Sequence, residues 1–225
     1  VPSPPADSSV LVDEPTGSSV DAVALRGGLD RCSRIVARHA RHLTGLDAVL
    51  GDGDHGDNLV IGLRAVDELL AELPATTPPG EILQAVGHRL VAAVGGASGP
   101  LYGTACIEAG FQAGRSQTLD GPTLAAMFRA AAGGLARRGR CQPGDKTILD
   151  TLAPAAGAFE RSIEAGGSVP DAYAAAMTAA ASGMRSTRDL VARRGLALRL
   201  GERSVGHRDP GAVSCLLLLR ALGRS

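Results

Sequence analysis

Segments rich in Ala, Leu and Arg, set apart by Gly and Pro, are the feature that most limits how this 225-residue chain can fold. Ala, Leu and Arg are among the best helix formers, whereas Gly and Pro punctuate helices. The pattern predicts helices near 19–43, 56–73, 80–95, 100–115, 122–138, 146–166, 170–193 and 210–223. No segment alternates apolar and polar residues for long enough to compete as a strand. Short branched runs such as Val91-Ala92-Ala93-Val94 lie inside longer helical patterns. The fold class is therefore all-α. Aromatic residues make up only 2% of the chain, so the core has to be built from Leu, Ala and Val. Close helix approach at Ala and Gly then compensates for the missing rings.

Residues 1–18 are rich in Pro, Ser and Asp and show no sustained apolar period. They are expected to form a flexible tail. Residues 19–225 show no compositional break and are long enough to bury one substantial core, so they read as one domain. The formal net charge is zero, which offers no basic face to nucleic acid. No run of about 18 apolar residues suggests a membrane span, and the start at Val1-Pro2-Ser3-Pro4-Pro5 lacks signal-peptide character. Cys32, Cys106, Cys141 and Cys215 are widely spread without a CxxC pair, as suits free thiols. A cytoplasmic location is the expectation.

The densest chemical signal is Gly51-Asp52-Gly53-Asp54-His55-Gly56-Asp57-Asn58, preceded by Leu46-Asp47. Residues two apart on a helix point to nearly opposite sides, so Asp52 and Asp54 converge only from a loop, which the glycines favour. Hard oxygen ligands of this kind suit Mg²⁺ or Ca²⁺ better than Zn²⁺. The spacing is not that of an EF-hand. A second segment, Gly95-Gly96-Ala97-Ser98-Gly99-Pro100, links two apolar runs, with Ser98 placed like an N-cap and Pro100 near the first turn. Free amides at such a junction bind anions. No GxxxxGK[ST] sequence is present, so the phosphate site is not a P-loop.

These two motifs, followed in order by Gly144-Asp145-Lys146-Thr147-Ile148-Leu149-Asp150 and by Leu200-Gly201-Glu202-Arg203-Ser204-Val205-Gly206-His207-Arg208-Asp209-Pro210-Gly211-Ala212, resemble the nucleotide-binding L subunit of dihydroxyacetone kinases. The resemblance covers roughly residues 19 to 225. It implies an eight-helix antiparallel up-and-down barrel with the nucleotide site at one end. It also implies that Asp47, Asp52 and Asp54 coordinate two Mg²⁺ ions bridging the phosphates of ADP or ATP. His55, Asn58, Gly96, Ala97, Ser98 and Gly99 would face the phosphates. Leu101, Thr104, Thr147, Ile148, Asp209 and Pro210 would surround the base. Asp57 is expected to cap the helix that follows the acidic loop, and the role of Lys146 stays open.

By the same resemblance, the activity is Mg²⁺-dependent phosphoryl transfer to dihydroxyacetone or a similar short ketose held by a separate K subunit. The phosphate comes either from exchanging ATP or from a phosphohistidine carrier that recharges bound ADP. A homodimer is left open. One departure stands out: family members commonly read Gly-Arg-Ala-Ser-Tyr where this chain reads Gly195-Leu196-Ala197-Leu198-Arg199. The loss of a positive charge at Leu196 weakens help to a transferring phosphoryl group. It supports the alternative of a nucleotide-sensing regulator that docks on a kinase or transcription factor. A lipid carrier is a third reading, because the family's barrel encloses an apolar channel.

Overall fold

A computed structural model describes residues 19–223. The expected tail over 1–18 lies outside the described residues. The helices are α1 (Ala22–Leu50), α2 (His55–Glu72), α3 (Pro79–Ala93), α4 (Ser98–Ala113), α5 (Gly121–Gly139), α6 (Leu149–Glu164), α7 (Val169–Ser186) and α8 (Pro210–Leu222). Each helix packs on the next in sequence, and α8 returns to α1, which closes an up-and-down ring. None of the described helices is long and apolar enough to cross a membrane.

Local chemistry accounts for several of the helix starts. Asp21 caps α1 by accepting the Ala24 amide at 2.8 Å, and Asp120 does the same for Thr123 at 2.9 Å at the head of α5. Ser168 and Asp171 form a reciprocal capping box on α7. Pro occupies the first turn of α3, α5, α7 and α8, where its missing N–H removes no helical bond.

The structure corrects the expected boundaries in four places. The first helix does not stop near 43 but runs to Leu50, because Leu43, Asp47 and Leu50 continue its buried stripe. Helix α6 begins at Leu149 rather than 146, since Lys146 has a left-handed backbone with φ of 62°. Helix α7 ends at Ser186, not 193; Thr187 donates its hydroxyl to the Met184 carbonyl at 2.7 Å and the chain turns away. A 3-10 helix, interrupted at Gly201, occupies Leu196–Ser204, where no helix was expected. Two residues each from β1 (Val20–Asp21) and β2 (Thr118–Leu119) also pair antiparallel, tying the head of α1 to the α4–α5 connection.

One contiguous cluster of buried side chains runs through the ring, dominated by Leu and Ala. Three of the five aromatic rings gather in one place: Phe128 and Phe159 stack at 5.0 Å, with Tyr173 edge-on to Phe128 at 6.5 Å. Elsewhere backbones approach each other directly. On α3, Gly80 and Gly87 face Gly110 and Gly103 on α4, and a Cβ on Gly87 would lie 2.6 Å from the Gly103 carbonyl oxygen. This contact sets where α4 begins, and α4 begins at the candidate site.

Gly87→Ala is expected to force α3 and α4 apart and to cost about 1–3 kcal/mol. Chemical denaturation of the variant checks this.

Candidate functional site

In an up-and-down ring, alternate helices start at the same end. The N-termini of α2, α4, α6 and α8 all open on one cavity of about 580 Å³, whose wall includes Asp54, Ser98, Thr147, Ile148, Asp209 and Pro210. Helix N-termini carry partial positive charge and unpaired amides, so this end favours anions. The C-terminal end of α1 opens on the same cavity and brings the acidic loop with it.

Asp47 organises that loop. It sits on the last turns of α1 and is 9% exposed. Its Oδ2 accepts the amides of Gly53 at 3.0 Å, Asp54 at 3.0 Å and His55 at 3.3 Å. The carboxylate thus caps α2 from outside that helix, and Gly53 takes the positive φ of 76° that the tight loop requires. Asp54 occupies the N-cap position yet makes no side-chain capping bond, and the expected cap Asp57 is simply an exposed residue in the first turn. The two carboxylates released from local hydrogen bonding, those of Asp52 and Asp54, are exposed. Together with Asp47 they present three oxygens within 4.8 Å of one another. Three convergent hard anionic ligands, two of them without hydrogen-bond or ion-pair partners among the described residues, fit a hard divalent cation.

Across the cavity, Ser98 corrects a second expectation. The N-cap position of α4 is Ala97, and Ser98 is its first helical residue. The Ser98 hydroxyl serves His55 instead: its Oγ lies 3.0 Å from Nδ1 of the imidazole, whose Nε2 lies 2.8 Å from Ser214 Oγ. Ser214 Oγ lies in turn 2.6 Å from the Tyr102 hydroxyl. Burial pushes His55 down from its ordinary pKa, against the opposing pull of the Asp47 and Asp54 carboxylates. Asn58, Gly96, Ala97 and Leu101 also line the cavity.

Two of the expected contacts do not reach the wall. Gly99 is buried in the helix packing; a Cβ there would meet the Val94 carbonyl oxygen at 2.5 Å. Thr104 lies further along α4, away from the lining residues. Conversely, Tyr102, Arg138, Cys141, Arg194 and Leu196 line the cavity. The two arginines and Tyr102 carried no isolated motif signal. Leu196 marked itself by departing from the family pattern.

Lys146, the only lysine of the chain, also lines the cavity, although its side chain is 1% exposed. Its ammonium donates to the backbone carbonyls of Thr187 and His207, stitching the end of α7 to the loop before α8. Asp150 closes the third motif by accepting the Thr147 amide at 2.7 Å and that of Gly144. Asp209 caps α8 through the Ala212 amide at 2.7 Å, while its own amide donates to Thr187 Oγ1 at 3.1 Å. Burial raises Asp209 to about 7, although the Ala212 amide and Lys146 both pull it down.

The sign of this shift fixes a pH effect. Between its ordinary 3.8 and about 7, the unfolded chain has lost the Asp209 proton while the folded chain keeps it. Stability therefore falls as pH rises through that window, with a limiting slope of about 1.4 kcal/mol per pH unit. Asp209→Asn keeps a capping oxygen and removes the titration. Its stability relative to the parent is expected to rise from pH 4 to 7, as read from denaturation midpoints at each pH.

Comparison with known proteins places this geometry. A family model described as the DAK2 domain matches residues 49–224. The chain is 43% identical over 194 residues to the PEP-dependent dihydroxyacetone kinase ADP-binding subunit DhaL of Escherichia coli K12, covering 86% of this chain and 92% of that one. It is 37% identical to a D-erythrulose kinase of Mycolicibacterium smegmatis, of which it spans 33%. A dihydroxyacetone kinase of C. freundii matches with a TM-score of 0.68 and 25% identity, over 99% of this chain and 37% of that one. A crystal structure of that kinase in complex with AMP-PNP and Mg²⁺ shares the fold at the same TM-score. A four-motif sequence, a closed helical ring and an acidic loop at its mouth thus converge with a match over most of the chain: it belongs to the DAK2 domain family, and its fold is that of the matching part, about a third, of a dihydroxyacetone kinase.

Proposed function

We propose that the chain is the nucleotide-binding, phosphoryl-transfer subunit of a kinase for dihydroxyacetone or a related short ketose. The observation that carries this reading is the convergence of Asp47, Asp52 and Asp54 at a cavity into which four helices point their N-termini. One side suits cations and the other suits anions, which is what a metal-bound polyphosphate requires. The three carboxylates would hold two Mg²⁺ ions, which would supply neutralisation of phosphate charge. Ser98, His55, Asn58, Gly96 and Ala97 face the phosphates. Leu101, Thr147, Ile148, Asp209 and Pro210 enclose the base.

Relatives of similar length are named ADP-binding subunits of PEP-dependent kinases. This supports ADP as a resident cofactor, recharged by a phosphohistidine carrier, over exchanging ATP. The ketose sits on a separate K subunit. His55 has both ring nitrogens engaged by hydroxyls, and burial raises the pKa of the Cys141 thiol, so neither is a free nucleophile for a ketone. Catalysis by this chain is positioning and charge compensation. Arg194, whose Nε is 3.5 Å from Asp145 Oδ2, lines the cavity two residues before Leu196, whereas Arg199 is exposed away from the wall. Arg194 is thus the better-placed replacement for the missing family arginine. Leu196 itself favours the second reading, a regulator that binds nucleotide without turnover. The packed Leu and Ala interior weighs against a lipid carrier.

Calorimetry is expected to show ADP uptake that requires Mg²⁺; magnesium-independent binding, or none, overturns the reading. Asp52→Asn should weaken that uptake by about tenfold or more, with the thermal midpoint unchanged, because the exposed carboxylate holds no local structure. With a competent K subunit and phosphate donor, Arg194→Ala is expected to lower kcat by about a hundredfold. Leu196→Arg should raise it. Absence of turnover in the parent and in Leu196→Arg alike would establish the regulator instead.

A further inference from the structure

At the cavity wall, four polar side chains form a line, Ser98, His55, Ser214 and Tyr102, of which Ser214 alone lies behind the lining. Ser98 faces the cavity, the imidazole is 7% exposed, and Ser214 is fully buried on α8. The Tyr102 hydroxyl, 2.6 Å from Ser214 Oγ, is held protonated because burial raises its pKa well above 10. Its proton has two acceptors, Ser214 Oγ and the Gly211 carbonyl at 3.3 Å. The Ser214 hydrogen has three acceptors: His55 Nε2 at 2.8 Å, the Gly211 carbonyl at 3.0 Å and, when Tyr102 donates to Gly211, the Tyr102 oxygen at 2.6 Å.

A neutral imidazole carries one N–H and one bare nitrogen, so the line has two directions. In the first, Ser214 donates to Gly211 or to Tyr102, Nε2–H donates to Ser214 and Ser98 donates to Nδ1. The cavity then meets only lone pairs on Ser98. In the second, Ser214 donates to Nε2, Nδ1–H donates to Ser98, and the Ser98 hydrogen turns into the cavity. An anion beside Ser98 is repelled by the first arrangement and receives a hydrogen bond from the second.

We propose that Ser214 and Tyr102 are positioning residues that aim the Ser98 hydroxyl through the tautomer of His55, and that a phosphate group in the cavity selects the Nδ1–H ring. The number of protons on the ring does not change: one leaves Nε2 and one arrives at Nδ1, exchanged with solvent. The reversal also rearranges the Ser214 and Tyr102 hydroxyl hydrogens at the Gly211 carbonyl, which belongs to the Asp209-Pro210-Gly211 turn on the base side of the cavity. Phosphate occupancy is thereby communicated to the turn that encloses the base. The inference rests on the nucleotide reading of the cavity.

Nitrogen-15 NMR of histidine-labelled protein tests it, with the His55 signals assigned by their loss in His55→Asn. All samples contain Mg²⁺, and the probes are buffer alone, adenosine and ADP. The expected result is an Nε2–H ring with buffer or adenosine and an Nδ1–H ring with ADP. Ser214→Ala should abolish the change and weaken ADP binding by about tenfold, with adenosine binding unaltered. Ser214→Thr, which keeps a hydroxyl, should restore both. ADP bound to an Nε2–H ring in the parent protein overturns the relay alone, as does an equal loss of ADP and adenosine affinity in Ser214→Ala. Failure of the parent to bind ADP at all overturns the nucleotide reading and the relay together. If Ser214→Ala does not fold, the ring nitrogens of the parent protein decide.

Discussion

One carboxylate oxygen holds the site together. Asp47 Oδ2 accepts three successive amides, those of Gly53, Asp54 and His55, and so closes the turn between α1 and α2. A buried charge is tolerated there because its hydrogen bonds replace water. The consequence reaches beyond the turn. With the amides at the head of α2 engaged by Asp47, Asp52 and Asp54 are free to face outward, and His55 is delivered to the hydroxyls of α4 and α8. Remove that oxygen and the acidic cluster has no reason to converge.

The second organising constraint is topological. Because the ring alternates direction, its even-numbered helices all begin where α1 ends. Donor-rich ends and a carboxylate-rich end are thereby placed against each other without any long-range device. Glycine pairing between α3 and α4 sharpens this arrangement, since backbone contact fixes the height at which Ser98 enters the wall. The same low aromatic content that made the core look thin is compatible with dense packing for this reason.

Most helices were legible because their apolar period and their Gly or Pro boundaries agree, as in α3 and α5. The errors fall where a tertiary bond outweighs local preference. The first helix was expected to stop near 43, but the buried positions at Leu43, Asp47 and Leu50 carry it on through Gly45. Thr187 looked helical, yet its backbone carbonyl is taken by Lys146 from another segment. In the site, the acidic trio was readable from spacing alone. Ser98 was visible as a polar residue at a helix head, but its partner was not, since His55 and Ser98 are 43 positions apart. The resemblance to a known family supplied the base-side residues that spacing could not. Arg138 and Arg194 needed coordinates, because a chain with many arginines gives no hint of which two face a cavity.

Lys146 has a consequence for surface chemistry. As the only lysine in the sequence, and one enclosed by the Thr187 and His207 carbonyls, it leaves the folded exterior without a single ε-amine. Lysine-directed reagents therefore find no ε-amine while the α7–α8 junction stays shut. Acylation at this position would report the transient opening of one identifiable seam, adjacent to the cavity, with no background from any other lysine.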